Sequence, residues 1–400
     1  MRIRNLYQKN DAKIIFLVAD GLGGLPHPDF QNKTELEYAK TPNLDALVPF
    51  SVLGLTIPVD YGITPGSGPA HLSLFGYKPD EVEIGRGALE AYGIGYIMAE
   101  DEMAIRANFC TIDGGRVVTD RRAGRIETDE MKRIVGKLSR NILEIDGYKI
   151  TFMPGKEHRF VIVLKGKGLS DSISDTDPQK EGLTLLPAKF LNPDAKRAAD
   201  LVNKLVESIL EVLKDEPRAN GVLLRGYSLK PRVEGFTERT GMRALSLANY
   251  PMYKGITRIL GMETPEAGET FADLLDYLKT RYKEYDFIYL HYKYTDKAGE
   301  DGDFLKKVKA IEELDAYIPE ILSLKPDVLV VTGDHSTPAL LKAHSWHPNP
   351  TLLKSVYMGF DGIERFTERN CRLGSIGTIY AYYLIPLAMA SALKLKKWGA

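Results

Sequence analysis

The side chains best equipped for chemistry crowd into one stretch, Thr332 to His347 (TGDHSTPALLKAHSWH), where Asp334-His335 closes an apolar run and His344 lies nine residues on. Four of the chain's seven histidines fall between positions 291 and 347. Imidazole and carboxylate are the usual ligands of zinc and manganese, so this crowding points to a metal site. A capped strand end with surface histidines is the plainer alternative. Asp296 and Glu300 form an acidic pair at i, i+4 in YTDKAGE, residues 294–300. On a helix that spacing puts both on one face, within reach of a single cation, although such pairs also occur on solvated faces. Asp20, in VADGLGG (residues 18–24), ends an apolar run and precedes glycines. Backbone without a Cβ lets a ligand or metal approach closely, or simply makes a turn.

A nucleophile stands in GITPGSGPAH, residues 62–71, where Ser67 lies between two glycines and is followed by Pro69. That pattern suits a serine at the start of a helix, whose free N–H groups favour an attacked phosphate. It is not the G-x-S-x-G elbow of acyl hydrolases, because Pro65 occupies a position where that motif needs glycine. No general base is evident nearby in sequence; a metal that lowers the hydroxyl pKa would serve instead. A basic run, GRVVTDRRAGR (residues 115–125), carries Arg116, Arg121, Arg122 and Arg125. Converging guanidiniums would grip a small dianion by bidentate hydrogen bonds. A solvated charge run reads equally well, and Arg225 and Lys254 are lesser candidates of the same kind.

These groups need elements to hold them. Three short apolar runs, Ile14 to Asp20, Phe287 to His291 and Val328 to Asp334, have the length and β-branched content of buried strands in a largely parallel sheet. Helices are expected after Thr41-Pro42, Thr264-Pro265 and Asn192-Pro193, each a capping residue before a first-turn proline. Asp303 to Leu322 reads as a further helix bent at Pro319. Strands alternating with helices indicate an α/β class, in which polar groups at the carboxyl ends of strands line the crevice. The stretch from about 111 to 240 is rich in turn signals and reads as an inserted α+β cap.

With 44% hydrophobic and 27% charged residues, the chain has the balance of a globular protein. A formal charge of −1 gives no global argument for nucleic acid or an anionic membrane as partner. Cys110 and Cys371 make no disulfide framework or zinc motif. The polar start, MRIRNLYQKNDAK, lacks the apolar core of a signal peptide. Thr378 to Leu393 is apolar but short for a membrane span and holds Pro386, so a buried C-terminal helix is expected. The expected location is the cytoplasm.

Taken together, Asp20, Thr41-Pro42-Asn43-Leu44-Asp45, Gly66-Ser67-Gly68, Asp296 and Thr332-Gly333-Asp334-His335-Ser336-Thr337 resemble the alkaline phosphatase superfamily. More narrowly, the chain resembles the archaeal-type 2,3-bisphosphoglycerate-independent phosphoglycerate mutases. The stretches GSGPAHLSLFG (66–76), Gly85-Arg86-Gly87 with Glu90-Ala91-Tyr92-Gly93, Arg106-Ala107-Asn108-Phe109, DRRAGRI (120–126) and Tyr253-Lys254-Gly255 carry that likeness in order along the chain. It implies an alkaline phosphatase-like core (residues 1–110 and 241–400) with a mostly parallel sheet flanked by helices, plus an inserted substrate-binding cap (111–240). It also implies that Ser67 is the phosphorylated nucleophile between two divalent metals. Asp20, Ser67, Asp334 and His335 would hold one, and Asp296, position 300 and His344 the other. Asp120, Arg121, Arg125, His158, Arg225 and Lys254 match positions that grip phosphate or carboxylate.

One position departs from the family pattern. Asp296 should be followed four residues later by His, and this chain has Glu300. The extra carboxylate favours oxygen-preferring Mn²⁺ or Mg²⁺ over Zn²⁺, with Co²⁺ a further alternative, unless His347 replaces the missing imidazole. The implied reaction interconverts 3- and 2-phosphoglycerate through phosphoserine, without 2,3-bisphosphoglycerate, while a closed cap excludes water. A metal-dependent phosphatase and a catalytically impaired phosphometabolite-binding protein are the alternatives, and a homo-oligomer is compatible with all three.

Overall fold

The computed structural model describes residues 3–399, so Met1, Arg2 and Ala400 of the stretches read above lie outside it. The chain folds as two compact units. One comprises the described residues up to Glu83 and from Val233 onward, and the other is Ile84–Arg232.

In the first unit, the three apolar runs become adjacent strands because each is buried on both faces and can satisfy its backbone only laterally. Ile14–Ala19 pairs in parallel with Phe287–Tyr292 on one side and with Val328–Thr332 on the other. Ala244–Leu247, in parallel with Phe287–Tyr292, completes that edge. Beyond Val328–Thr332 lie Asn349–Lys354 and Ser51–Ile57, both joined antiparallel, and then Gly377–Tyr380, parallel to Ser51–Ile57. The seven-stranded sheet is therefore mostly parallel, with helices such as Phe271–Arg281 and Phe304–Ala316 contributing to its main hydrophobic core.

The second unit is an antiparallel sheet with helices. Glu102–Ile112 pairs with Val118–Asp120, Arg159–Lys165 and Gly221–Leu229, and Tyr148–Pro154 and Glu144–Ile145 extend the sheet. Side chains alternate across a strand. Met103, Ile105, Ala107 and Phe109 accordingly share one core with Met131, Ile134 and Leu138 of helix Thr128–Asn141 and Leu201, Leu205 and Ile209 of helix Lys196–Leu213. The α+β character of the insert is as expected, but its limits are not. Residue 110 lies inside the longest strand of this sheet, so the division falls at 83/84 and 232/233 rather than at 110/111 and 240/241.

Local readings also shift. Asn192 caps through its side chain to the Ala195 N–H as expected, and the Asp303 helix breaks at Tyr317, with Pro319 in the first turn of the next helix. No helix follows Thr264-Pro265: the Thr264 hydroxyl turns back to the Met262 carbonyl. The helix starts instead at Phe271, where Thr270 and Asp273 form a capping box. The apolar C-terminal segment is not one helix. Gly377–Tyr380 is an edge strand, and only Leu384–Ser391 is α-helical. Among the described residues no helix is long and apolar enough to cross a membrane.

Candidate active site

Three neighbouring parallel strands deliver three carboxylates. Asp20 follows Ile14–Ala19 directly, Asp296 lies in helix Tyr294–Glu300 just after Phe287–Tyr292, and Asp334 comes two residues after Val328–Thr332. Register aligns the strand ends, with Ala19 opposite Tyr292 and Val18 opposite Thr332. The turn after Asp20 needs glycine. Gly21 has φ +64°, and a Cβ there would stand 2.5 Å from Oγ1 of Thr337. Ser67 opens helix Ser67–Leu74, and its Oγ lies 3.3 Å from Nε2 of His335.

Two groups of side chains are close enough to hold a cation. Asp20, Asp334 and His335 form one, all buried; Asp296, His335 and His344 form the other. Hydrogen bonding decides what these groups present. The Thr337 hydroxyl donates its only hydrogen to Oδ1 of Asp296 at 2.7 Å, so it must accept from Nδ1–H of His335 at 3.0 Å. Burial lowers the pKa of His335 to about 4, leaving it neutral with a lone pair on Nε2. That lone pair faces Oδ1 of Asp20 at 3.4 Å and Oδ2 of Asp334 at 3.1 Å. Both oxygens are buried, and among the described residues neither accepts a hydrogen bond. Converging acceptors with no donor between them fit a cation. In the second group, Nδ1 of His344 bonds the Pro65 carbonyl at 3.0 Å, which turns Nε2 toward Oδ1 of Asp296 at 3.6 Å.

The carboxylates are tuned in opposite directions. Burial pushes Asp20 upward, but the hydrogen bond from His291 and the charge of Lys293 outweigh it and hold Asp20 well below the usual range. Asp334 is driven well above that range by burial and by the charge of Asp20. Around them His71 connects Nδ1 to the Ser67 carbonyl at 2.9 Å and to Asp334 at 3.3 Å, and Tyr253 donates to Asp20.

Glu300 and His347 stand apart from both groups. Oε1 of Glu300 is 3.8 Å from Nε2 of His344, and its side chain is 55% exposed. Burial and the charge of Asp296 raise its pKa. His347 does not take the place of the missing imidazole: its Nδ1 pairs with the Ser345 hydroxyl and its ring stacks on Trp346.

The second unit holds a polar pocket of about 380 Å³, lined by Arg106, Arg121, Arg122, Arg125, Arg159 and Arg225 with Asn108, Glu157 and His158. It occupies the face of the sheet opposite the core: Arg106 pairs across with Arg225, and Asn108 with Arg159. Buried Asp177 ties Arg121 at 2.7 Å and Arg225 at 2.9 Å. Burial lowers His158 to about 4. Asp120 is not in the lining; its two oxygens accept from the N–H groups of Arg122 and Gly124 and so hold the arginine turn. Arg116 leaves the cluster to pair with Glu207, and Lys254, in the first unit, pairs with Glu266.

Sequence reading assigned no role to His71, His291, Tyr253, Lys293, Thr337 or Asp177, although His71, Tyr253 and Thr337 lie within stretches quoted above. Arg106 and Asn108 carried a usable signal, the i, i+2 spacing of polar residues within an apolar strand.

The chain is similar to known proteins over its full length. Residues 50–219 match a family model described as 2,3-bisphosphoglycerate-independent phosphoglycerate mutase. The chain is 50% identical over its full length, and 99% of the relative's, to a probable enzyme of that name from Aquifex aeolicus. It is 52% identical to one from Thermus thermophilus, covering all of this chain and 98% of the relative. A solved cofactor-independent phosphoglycerate mutase from Thermoplasma acidophilum is similar at TM-score 0.73 and 30% identity, over 95% of this chain and all of that one. A solved Pyrococcus horikoshii protein is similar at TM-score 0.83 and 29% identity, over 98% and 100%.

Proposed function

The chain belongs to the 2,3-bisphosphoglycerate-independent phosphoglycerate mutases, and from that premise we propose that it interconverts 3- and 2-phosphoglycerate through a phosphoserine on Ser67. The observation that carries the assignment of residues is the convergence of the Ser67 hydroxyl, the His335 lone pair and two donorless carboxylate oxygens on one point.

Asp20, Ser67, Asp334 and His335 would hold one divalent ion, and Asp296, His344 and Glu300 the other. Bound there, the ions supply Lewis acidity that favours the ionised serine and offsets phosphoryl charge. Manganese is the proposed metal, because Glu300 adds a hard oxygen where the family pattern has imidazole. Ser67 Oγ gives up its proton and attacks phosphorus, the bond between phosphorus and the C3 oxygen breaks, and the departing C3 alkoxide of glycerate takes up a proton. The C2 hydroxyl then gives up its proton and attacks the phosphorus of phosphoserine, the Oγ–P bond breaks, and Ser67 takes up a proton as 2-phosphoglycerate forms. The first-turn N–H groups of helix Ser67–Leu74 favour the anionic transferring group. Arg121, Arg125, Arg225 and His158 offer donors suited to the substrate's carboxylate and phosphate; Asp177 holds Arg121 and Arg225, and Asp120 holds the turn that leads into Arg125. Lys254 is a further anion-binding group. Two buried thiols, Cys110 and Cys371, suit the reducing cytoplasm.

An enolase-coupled assay with 3-phosphoglycerate and Mn²⁺, omitting 2,3-bisphosphoglycerate, tests this reading. Formation of 2-phosphoglycerate is expected; release of inorganic phosphate alone would make the protein a phosphatase instead.

A further inference from the structure

Each of two carboxylates at the site divides its oxygens between two tasks. Oδ1 of Asp20 faces Nε2 of His335 at 3.4 Å, and Oδ1 of Asp296 faces Nε2 of His344 at 3.6 Å, so these oxygens look into the two cation-holding groups. The opposite oxygens both meet one lysine. Nζ of Lys293 is 2.9 Å from Oδ2 of Asp20 and in short contact with Oδ2 of Asp296. It also donates to the Tyr253 hydroxyl at 3.3 Å, with the rings of Tyr250 and Tyr253 at 5.8 and 5.6 Å. Helix geometry makes the arrangement natural, since Lys293 precedes Asp296 by three residues at the start of helix Tyr294–Glu300.

We propose that Lys293 is a positioning residue serving as the resident counter-cation of the two-ion site: it offsets Asp20 and Asp296 when the ions are absent and opposes the ions once they bind. The inference rests on the two-ion reading given above. Its physical basis is that a buried carboxylate without a partner is costly, whereas a cation beside a dication is repelled. The ammonium lies against one oxygen of each carboxylate, so its charge is offset by theirs in the buried space. Lys293 thus supports the metal-free fold and loosens metal binding, which keeps the ions exchangeable.

Calorimetric Mn²⁺ titration of metal-stripped full-length protein tests this, alongside melting curves with and without Mn²⁺. Lys293→Met should bind Mn²⁺ at least about tenfold more tightly and melt roughly 5 °C lower without metal, so that Mn²⁺ raises its Tm more than it raises the native protein's. Should the Met variant not fold, Lys293→Gln, which retains hydrogen-bond donors, decides by the same criterion. Lys293→Arg should stay within about threefold of native, because it keeps the charge. Unchanged or weaker affinity in the neutral variants, or equal tightening in the Arg variant, overturns the role of Lys293 while leaving the two-ion reading intact. A native protein that binds no Mn²⁺ at all overturns both.

Discussion

The Thr337 hydroxyl lies 3.0 Å from Nδ1 of His335, and this contact determines which ring nitrogen of the imidazole offers a lone pair. Because Thr337 spends its hydrogen on Asp296, His335 must donate from Nδ1, and Nε2 is left for Asp20, Asp334 and Ser67. Partners of this kind orient ligands and set their tautomer. Thr337→Val should therefore weaken Mn²⁺ binding by about 10–100-fold. Thr337→Ser should retain it, and calorimetry on the two variants separates loss of the hydroxyl from loss of packing.

Ser67→Ala removes the proposed phosphate carrier. Mutase activity should fall by at least about 10³-fold, the order seen when groups acting on the transferring centre are lost. Mass spectrometry of native protein quenched during turnover should find phosphate on Ser67. Full activity in the Ala variant would rule the mechanism out.

Asp177 holds Arg121 and Arg225 in the pocket of the second unit. Asp177→Asn should raise KM for 3-phosphoglycerate about tenfold through loss of this pre-organisation. Steady-state kinetics should show a much smaller change in kcat. An equal fall in kcat with KM unaltered would place the two arginines on the transition state instead.

Glu300→His restores the imidazole expected from the family pattern. Its preference should shift from Mn²⁺ toward Zn²⁺, read as the ratio of the two dissociation constants. An unchanged ratio would show that Glu300, which lies outside both compact groups, takes no part in holding metal.

Glu368 is fully buried behind the Gly21–Gly24 turn, where it accepts from the Gly24 N–H and the Thr34 hydroxyl, and burial raises its pKa to about 7. Its unfolded value is near 4.5. Between those values the folded state binds more protons than the unfolded one, so this group makes stability fall as pH rises from about 4.5 through 7. The expected loss is about 3 kcal/mol, fully present above the folded pKa. Glu368→Gln should flatten that decline, which denaturant melts at pH 5, 6, 7 and 8 would measure.

Much of the site was legible because its chemistry is carried by short local motifs. Asp20, Asp334 and Ser67 each sit where a strand ends or a helix begins, and such termini follow from hydrophobic runs, glycines and prolines a few residues away. The failures have the same physical origin. Thr264-Pro265 has a helix start's composition, but its hydroxyl bonds Thr257 of the preceding helix and the Met262 carbonyl, and the chain turns there instead. Residue 110 looks like the end of an element until strand Gly221–Leu229 pairs beside it.

By itself, then, the amino-acid sequence determined the α/β class and singled out a candidate nucleophile and candidate ligand types, because local periodicity and residue chemistry carry that information. Only the tertiary structure decided how each group is used. Asp20 belongs at once to His335, His291, Tyr253 and Lys293, residues more than 200 positions away that strand register brings together. Which oxygen faces which neighbour, and which imidazole nitrogen keeps its lone pair, depends on hydrogen-bond geometry in a buried space. The metal reading sharpened accordingly: Asp296 and His344 converge with His335 rather than with the more exposed Glu300.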